Sequence, residues 1–264
     1  MSDWKRLLKL SGGNMAKHLF RMFLWTVSLI LAGCTVQRPV TPFAPMDLNP
    51  KIQSGQYIQN ANNLMIILDN SGSMKDFYLG QRKFNMAKDI VNRINRTIPN
   101  IKLTIALRTF GFDILTSEET TLVYGPTPYH ASGFEKAFRE VKRPNGPGSL
   151  DRAIDASMED LSSTEVLGKI AMIIVSDGEE MSITPLVSAE RLKTMFGDRI
   201  CIYTIQIGND SAGRMLLEKI AQAGGCGFNS QGERLLSSGD VADFVERVLL
   251  TKKLGEPGSS VINK

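Results

Sequence analysis

The stretch that most constrains this chain is Leu64–Met74, in which an apolar run ends abruptly in DNSGSM. The run has the length and β-branched content of a strand that is buried on both faces. The Asn, Gly and two Ser residues after it favour a turn. Asp69, Ser71 and Ser73 therefore leave a strand end together, and their carboxylate and hydroxyls suit Mg²⁺, Mn²⁺ or Ca²⁺. The same residues also fit a cap of the following helix.

A second apolar run, Ile170–Val175, ends in SDGEE at residues 176–180. In doubly wound sheets, ligands bind outside the carboxyl ends of the parallel strands. We therefore expect Asp177 beside the DNSGSM turn. Strands alternate with helical patterns between residues 62 and 250, which predicts an α/β fold with a mainly parallel sheet and helices on both faces.

The pair DNSGSM and SDGE resembles the von Willebrand factor A domain and its metal-ion-dependent adhesion site. The resemblance covers residues 62–250 and implies a doubly wound, Rossmann-like sheet. It also implies that Asp69, Ser71 and Ser73 hold a divalent cation, with Mg²⁺ first among the candidates, and that Asp177 helps directly or through water. The family usually adds a Thr ligand. The matching position is Gly148, which has no side-chain oxygen. The adjacent Ser149 would supply the ligand if the loop shifts by one residue, and otherwise water fills the position.

The N-terminus predicts a lipoprotein. Residues 1–33 combine basic residues with the short apolar stretch Met22–Ala32, which is typical of a secretory signal, and either Met1 or Met15 could start it. The sequence LAGC at its end matches the bacterial lipobox, which predicts lipidation of Cys34. Thr35 stands where an Asp would favour retention at the inner membrane, so we expect an outer-membrane anchor facing the periplasm.

Two segments are predicted to lie outside the domain, and the overall charge argues against a nucleic-acid partner. Residues 34–61, rich in Pro, Gln and Asn, predict a flexible tether, and residues 251–264 predict a loose tail. The formal charge of +4 comes from the signal segment, and the remainder has equal numbers of acidic and basic residues. Without a basic block or an aromatic stripe, the sequence predicts no nucleic-acid binding.

Two cysteines remain once Cys34 is assigned to the lipid. Export would place Cys201 and Cys226 in an oxidising compartment, where disulfides persist. Both precede or open predicted strands at the same edge of the sheet, which favours a disulfide between them. The alternative is that they are two small buried apolar side chains.

These features predict a lipid-anchored envelope protein that binds a divalent cation and a protein partner, with the partner supplying a Glu or Asp to the ion. One alternative is a structural or chaperone-like envelope scaffold with a weak metal site, for which Gly148 is the main support. The least favoured alternative is a metal-dependent hydrolase. His130 is the histidine left after signal removal, and no G-x-S-x-G motif surrounds Ser71, so we expect no enzyme activity.

Overall fold

The structure is a computed structural model that describes residues 42–113, 116–141, 143–163, 166–179 and 183–253. Residues from Phe43 onward form one compact unit. Cys34, the signal segment and residues 254–264 of the predicted tail lie outside the described residues. Among the helices of the described ranges, none is both long enough and apolar enough to cross a bilayer.

Helices and strands alternate along most of the described chain, as the sequence predicts. The helices are α1 (Asn49–Gln53), α2 (Lys83–Thr97), α3 (Ala131–Arg139), α4 (Leu150–Ser163), α5 (Thr184–Phe196), α6 (Ser211–Ala223) and α7 (Ser238–Leu249). The strands are β1 (Tyr57–Gln59), β2 (Asn63–Asp69), β3 (Phe77–Tyr78), β4 (Gln81–Arg82), β5 (Thr104–Asp113), β6 (Glu118–Pro128), β7 (Ile170–Ser176), β8 (Ile200–Gln206), β9 (Asn229–Gln231) and β10 (Leu250–Lys252).

A six-stranded sheet in the order β6-β5-β2-β7-β8-β9 forms the centre of the fold. Every pairing is parallel except β5 with β6. The apolar side chains of α2, α3 and α7 pack on one face, and those of α4, α5 and α6 pack on the other. The predicted doubly wound, mainly parallel α/β sheet is therefore confirmed.

The register of the two central strands decides where the site forms. Strands β2 and β7 are buried along their whole length and pair in register, with Leu68 opposite Val175. Asp69 and Ser176 follow these partners directly, so the two polar segments leave the sheet side by side. Burial on both faces explains why each strand is an uninterrupted apolar run in the sequence.

The structure corrects both predicted flexible segments. Part of the expected tether is folded, because α1 and β1 lie within it, Leu48 is buried, and β1 pairs antiparallel with β10. That pairing also orders Thr251 and Lys252, the first two residues of the expected tail. The sequence does not predict these elements for two reasons. The segment is rich in Pro and Asn, and a three-residue edge strand has too few positions to show periodicity.

Other predicted bounds differ by a few residues. The apolar residues at 121–124 predict only a short strand, but β6 runs for 11 residues. Its half-exposed position at the edge of the sheet beside β5 weakens the apolar pattern. A Thr directly before a Pro predicts that Thr184 caps α5, but the N-cap position is Ile183, and Pro185 lies in the first turn.

Cys201 and Cys226 are joined by a disulfide in the structure, with Cα atoms 5.1 Å apart. Cys201 lies near the amino end of β8, and Cys226 lies in the loop before β9. Gly227 is required there, because a Cβ atom at this position would lie 1.5 Å from the Ile202 carbonyl oxygen. The bridge therefore closes the edge of the sheet opposite the DNSGSM turn.

Candidate metal centre

The DNSGSM turn brings three of the predicted ligands together at the carboxyl end of β2. Asp69 is 2% exposed, and its Oδ1 accepts a hydrogen bond of 2.8 Å from the Ser71 N–H. The chain then enters a 3-10 turn over Gly72–Lys75, which places the Ser71 and Ser73 hydroxyl oxygens 3.1 Å apart. One carboxylate and two hydroxyls thus converge, as the spacing predicts.

The loop of residues 143–149 is held against this turn by backbone hydrogen bonds. The Asn145 N–H donates to the Asn70 carbonyl at 2.9 Å, and the Gly72 N–H donates to the Gly146 carbonyl at 2.7 Å. Gly146 has φ +60°, and a Cβ atom there would lie 2.5 Å from the Phe112 carbonyl oxygen. The tight approach of the two backbones therefore requires glycine at this position.

Ser149 occupies the last position of that loop, directly before α4. Its carbonyl accepts the Ala153 N–H at 3.1 Å. In the described part of the chain, no hydrogen bond links the Ser149 hydroxyl to the DNSGSM turn. The structure therefore brings Asp69, Ser71 and Ser73 together but does not join Ser149 to them.

Ser176 connects the two strand ends, although the sequence analysis did not select it. Its hydroxyl donates to Asp69 Oδ2 at 2.6 Å and accepts the Gly178 N–H at 2.9 Å. The only sequence signal was its place beside Asp177, at the last position of a buried strand. Asp177 follows it and is 1% exposed.

Lys83 supplies a positive charge to the acidic side of the site, which the sequence analysis also missed. Its Nζ lies 3.0 Å from Asp177 Oδ2 and 2.5 Å from Glu179 Oε1. The lysine is 8% exposed and begins α2, and its methylene groups pass beside Gly208. Burial lowers the pKa of Lys83, but the hydrogen bonds and charges of the two carboxylates outweigh it, so the pKa is raised overall.

Burial makes ionisation of the Asp69 carboxyl group unfavourable. Burial raises its pKa to about 7, the nearby charge of Asp177 adds to the rise, and hydrogen bonds from Ser176 and Ser71 oppose it. A buried carboxylate is stabilised in its charged form by a neighbouring cation. This electrostatic environment therefore favours an ion beside Asp69.

The donor set fits a hard divalent cation. Each Asp69 oxygen accepts one hydrogen bond, and a carboxylate has about four acceptor positions, so capacity remains for an ion. Asn70 Oδ1 at the same turn is buried with no hydrogen-bond partner among the described residues. Within the described ranges, no group of three or more His, Cys, Asp or Glu residues could hold a metal, so hydroxyl and water oxygens would have to complete the shell.

His130 lies far from this site. It precedes α3, and the adjacent end of β6 pairs with Thr104 at the amino end of β5. The parallel strand β2 is seven residues long, so about 20 Å of sheet separates His130 from Ser71. The structure therefore brings no histidine from the described residues to the serine.

The sequence profile of the von Willebrand factor type A domain matches residues 63–239. This chain belongs to that family. The protein YwmD of Bacillus subtilis, which is uncharacterized, is 28% identical over 176 residues, spanning 63% of this chain and 77% of YwmD.

Two solved structures share the fold at low sequence identity. An aerotolerance-related membrane protein from Bacteroides fragilis superposes with a TM-score of 0.55 at 15% identity, over 70% of this chain and 96% of that chain. Manganese-loaded TRAP protein from Plasmodium vivax superposes with a TM-score of 0.52 at 17% identity, over 75% of this chain and 78% of that one. At these identities the similarity establishes the fold alone.

Proposed function

We propose that this protein is a lipid-anchored von Willebrand A domain of the bacterial cell envelope that binds a divalent cation and, through it, a protein partner. The observation that carries the proposal is the buried Asp69 carboxylate beside the paired hydroxyls of Ser71 and Ser73. The manganese-loaded state of the TRAP protein supports an ion on this fold. Mg²⁺ is the first candidate, with Mn²⁺ and Ca²⁺ as alternatives.

Asp69, Ser71 and Ser73 would hold the ion, and Asp177 would act directly or through water. A cation with few charged protein ligands attracts further anionic oxygen donors. A Glu or Asp of the partner would be such a donor, which makes binding depend on the cation.

The surface around the carboxyl edge supports a protein partner. Phe77 and Leu79 follow the DNSGSM turn and are 68% and 64% exposed, and Ile183 follows the SDGE segment and is 71% exposed. Exposed large apolar side chains near a site are typical of protein-binding surfaces. These side chains and the proposed ligands follow strands that end at the same edge of the sheet.

The envelope location rests on the lipobox at Cys34, supported by the membrane origin of the Bacteroides fragilis protein and by a disulfide that suits an oxidising compartment. We place the anchor in the outer membrane because Thr35 follows the cysteine.

The test is a thermal-shift titration of the full chain in detergent with Mg²⁺, Mn²⁺ and Ca²⁺. We compare the natural protein with Asp69→Asn, and with Asp198→Asn as a control that removes a fully exposed carboxylate. A saturable rise in melting temperature is expected for the natural protein and the control, and its loss is expected in Asp69→Asn. An equal rise in all three proteins, or no rise in any, would contradict the proposal.

A second candidate is a structural or chaperone-like scaffold whose metal site is weak. Two observations favour it: Gly148 lacks the side-chain oxygen of the family's Thr, and Lys83 already neutralises Asp177. Partner capture that is unchanged by chelator would distinguish the scaffold from the cation-dependent binder. Both candidates are binding functions; hydrolysis of generic esters or phosphates that disappears in Asp69→Asn would contradict both.

A further inference from the structure

An open cleft of about 740 Å³ lies beside the candidate metal centre. Four of the described residues that line it are cations: Lys75, Arg82, Lys88 and Arg143. We call it the basic cleft and define it by these four residues. No acidic side chain is present among its described lining residues, and Phe84 supplies an apolar wall.

The basic cleft is built from the segments that form the metal centre. Lys75 is the last residue of the 3-10 turn that carries Ser73. Arg143 begins the loop whose Asn145 and Gly146 are bonded to the DNSGSM turn. The cleft and the DNSGSM turn are therefore formed by the same two chain segments.

The charges of the cleft lack acidic partners in the described part of the chain. The Arg82 guanidinium donates to the Lys75 carbonyl at 2.7 Å and stacks on the Phe77 ring, 5.1 Å from its centre. The Lys88 ammonium lies 5.2 Å from the centre of the Phe138 ring, and partial burial lowers its pKa. By contrast, Arg108 and Arg191, elsewhere on the fold, each bind a carboxylate. The basic cleft therefore presents net positive charge that an anionic ligand would neutralise.

The β3–β4 hairpin, which ends at Arg82 of the cleft, carries two exposed apolar side chains, Phe77 and Leu79. Arg82 ends the β3–β4 hairpin, in which Tyr78 pairs with Gln81 and residues 79 and 80 form the tip. Leu79 at the tip is exposed and has φ +49°, a left-handed conformation that non-glycine residues rarely adopt. Leu79 therefore presents an apolar side chain to solvent at the tip of the hairpin whose last residue, Arg82, lines the cleft.

We propose that the basic cleft binds an acidic segment of the protein partner, whose neighbouring apolar side chains pack on Phe77 and Leu79. The inference deepens the proposed function, since one carboxylate of the same segment would reach the cation. The contacts in the cleft itself are between side-chain charges and require no metal ion. Binding by the cleft and binding by the cation are therefore separable.

The test measures peptide binding to the full chain in detergent by fluorescence anisotropy. The probe is a labelled octapeptide of alternating Glu and Leu, and its matched control has Gln in place of Glu. Lys75→Gln/Arg143→Gln removes two exposed charges of the cleft, and Arg214→Gln/Lys219→Gln removes two exposed charges of α6. Because both variants lose the same net charge, their difference isolates the position of the charge.

In chelator at low salt, we expect the cleft variant to bind the acidic peptide about fivefold more weakly, in line with the loss of two exposed ion pairs. The α6 variant should bind as the natural protein does, and the Gln peptide should not bind. Binding should weaken further toward 0.15 M salt, where charges are screened beyond about 8 Å.

The remaining outcomes distinguish binding by the basic cleft from binding by the cation. Equal weakening in the cleft and α6 variants overturns the inference, as does equal binding of the Glu and Gln peptides. Mg²⁺-dependent binding that Asp69→Asn abolishes and the cleft variant leaves intact overturns the inference but supports the proposed function. Binding that the cleft variant weakens while Mg²⁺ has no effect supports the inference and contradicts the proposed function.

Discussion

Replacement of Lys83 by Met tests the electrostatics of the site most directly. Met keeps most of the buried aliphatic length and removes the ammonium that lies between Asp177 and Glu179. Two consequences follow: the fold loses a buried ion pair, and the acidic side of the site becomes available to a divalent cation.

The loss of stability follows from the burial of the two partners. Lys83 is 8% exposed and Asp177 is 1% exposed, so the substitution leaves an uncompensated buried carboxylate, which costs about 3–5 kcal/mol. The Glu179 contact adds less than about 1 kcal/mol, since that side chain is 40% exposed. At about 2–4 °C per kcal/mol for a domain of this size, a loss of about 3 kcal/mol lowers the melting temperature in chelator by about 6–12 °C.

The gain in cation affinity has the same origin. The Lys83 ammonium repels a cation bound nearby, and two unit charges 4 Å apart near a protein surface interact by about 4 kcal/mol. Relief of only one third of that repulsion corresponds to about a tenfold gain in affinity. We therefore expect Lys83→Met to bind Mg²⁺ at least about tenfold more tightly than the natural protein. Saturating Mg²⁺ should then restore most of the lost melting temperature, because an ion that binds only the folded state stabilises it.

The assay is isothermal titration calorimetry with Mg²⁺, together with melting curves in chelator and in Mg²⁺. Lys51→Met is the matched control, because it also removes a lysine from a carboxylate, Glu246, at an exposed position. An exposed pair contributes less than about 1 kcal/mol, so this control should change neither quantity much. If Lys83→Met is no less stable than the control, or its affinity for Mg²⁺ is unchanged, Lys83 is not the counter-ion of the site.

The other predictions concern the pH dependence, the hairpin and the disulfide. Burial raises the folded-state pKa of Asp69 to about 7, against an ordinary value of 3.8. Between these two pH values the folded protein binds one more proton than the unfolded chain. In chelator, the contribution of Asp69 to the free energy of unfolding therefore falls as the pH rises from 4 to 7. Urea titrations should show that Asp69→Asn removes this fall; an unchanged slope would reject the assignment. Leu79→Asn should raise the free energy of unfolding by about 0.5–1 kcal/mol, because Asn tolerates the left-handed conformation, and should weaken binding of the Glu-Leu peptide; unchanged binding would exclude a Leu79 contact. Cys201→Ser/Cys226→Ser should cost about 3.5 kcal/mol for a separation of 25 residues, measured by urea denaturation, with Mg²⁺ affinity unchanged because the bridge is at the opposite sheet edge.

Local pattern determined the central elements. Strands β2 and β7 are buried on both faces, so every position must be apolar, and the polar residues that end them are the ones that reach the ligand edge. Asp69, Ser71 and Ser73 were predictable for the same reason, since their mutual spacing is set by one turn of five residues.

The position of a ligand within the loop before α4 was harder to predict from the sequence. The family resemblance put the missing Thr ligand at Gly148 and made Ser149 the replacement candidate. Backbone hydrogen bonds from Asn145 and Gly72 hold that loop, and Ser149 lies at the start of α4. Which residue of a Pro- and Gly-rich loop faces a site depends on its contacts with another segment, and these leave no periodic signal.

The sequence alone determined the fold class, the two strand ends and the oxygen donors of the turn, because each depends on burial or spacing within a few neighbouring residues. Tertiary structure alone decided that Lys83 neutralises Asp177, 94 residues away, and that Ser176 bonds to Asp69, 107 residues away. It also assembled the basic cleft from the turn, α2 and the loop before α4. Hydropathy records whether a position is buried, but the partner of a buried polar group is fixed only when the strands pair and the helices pack around them.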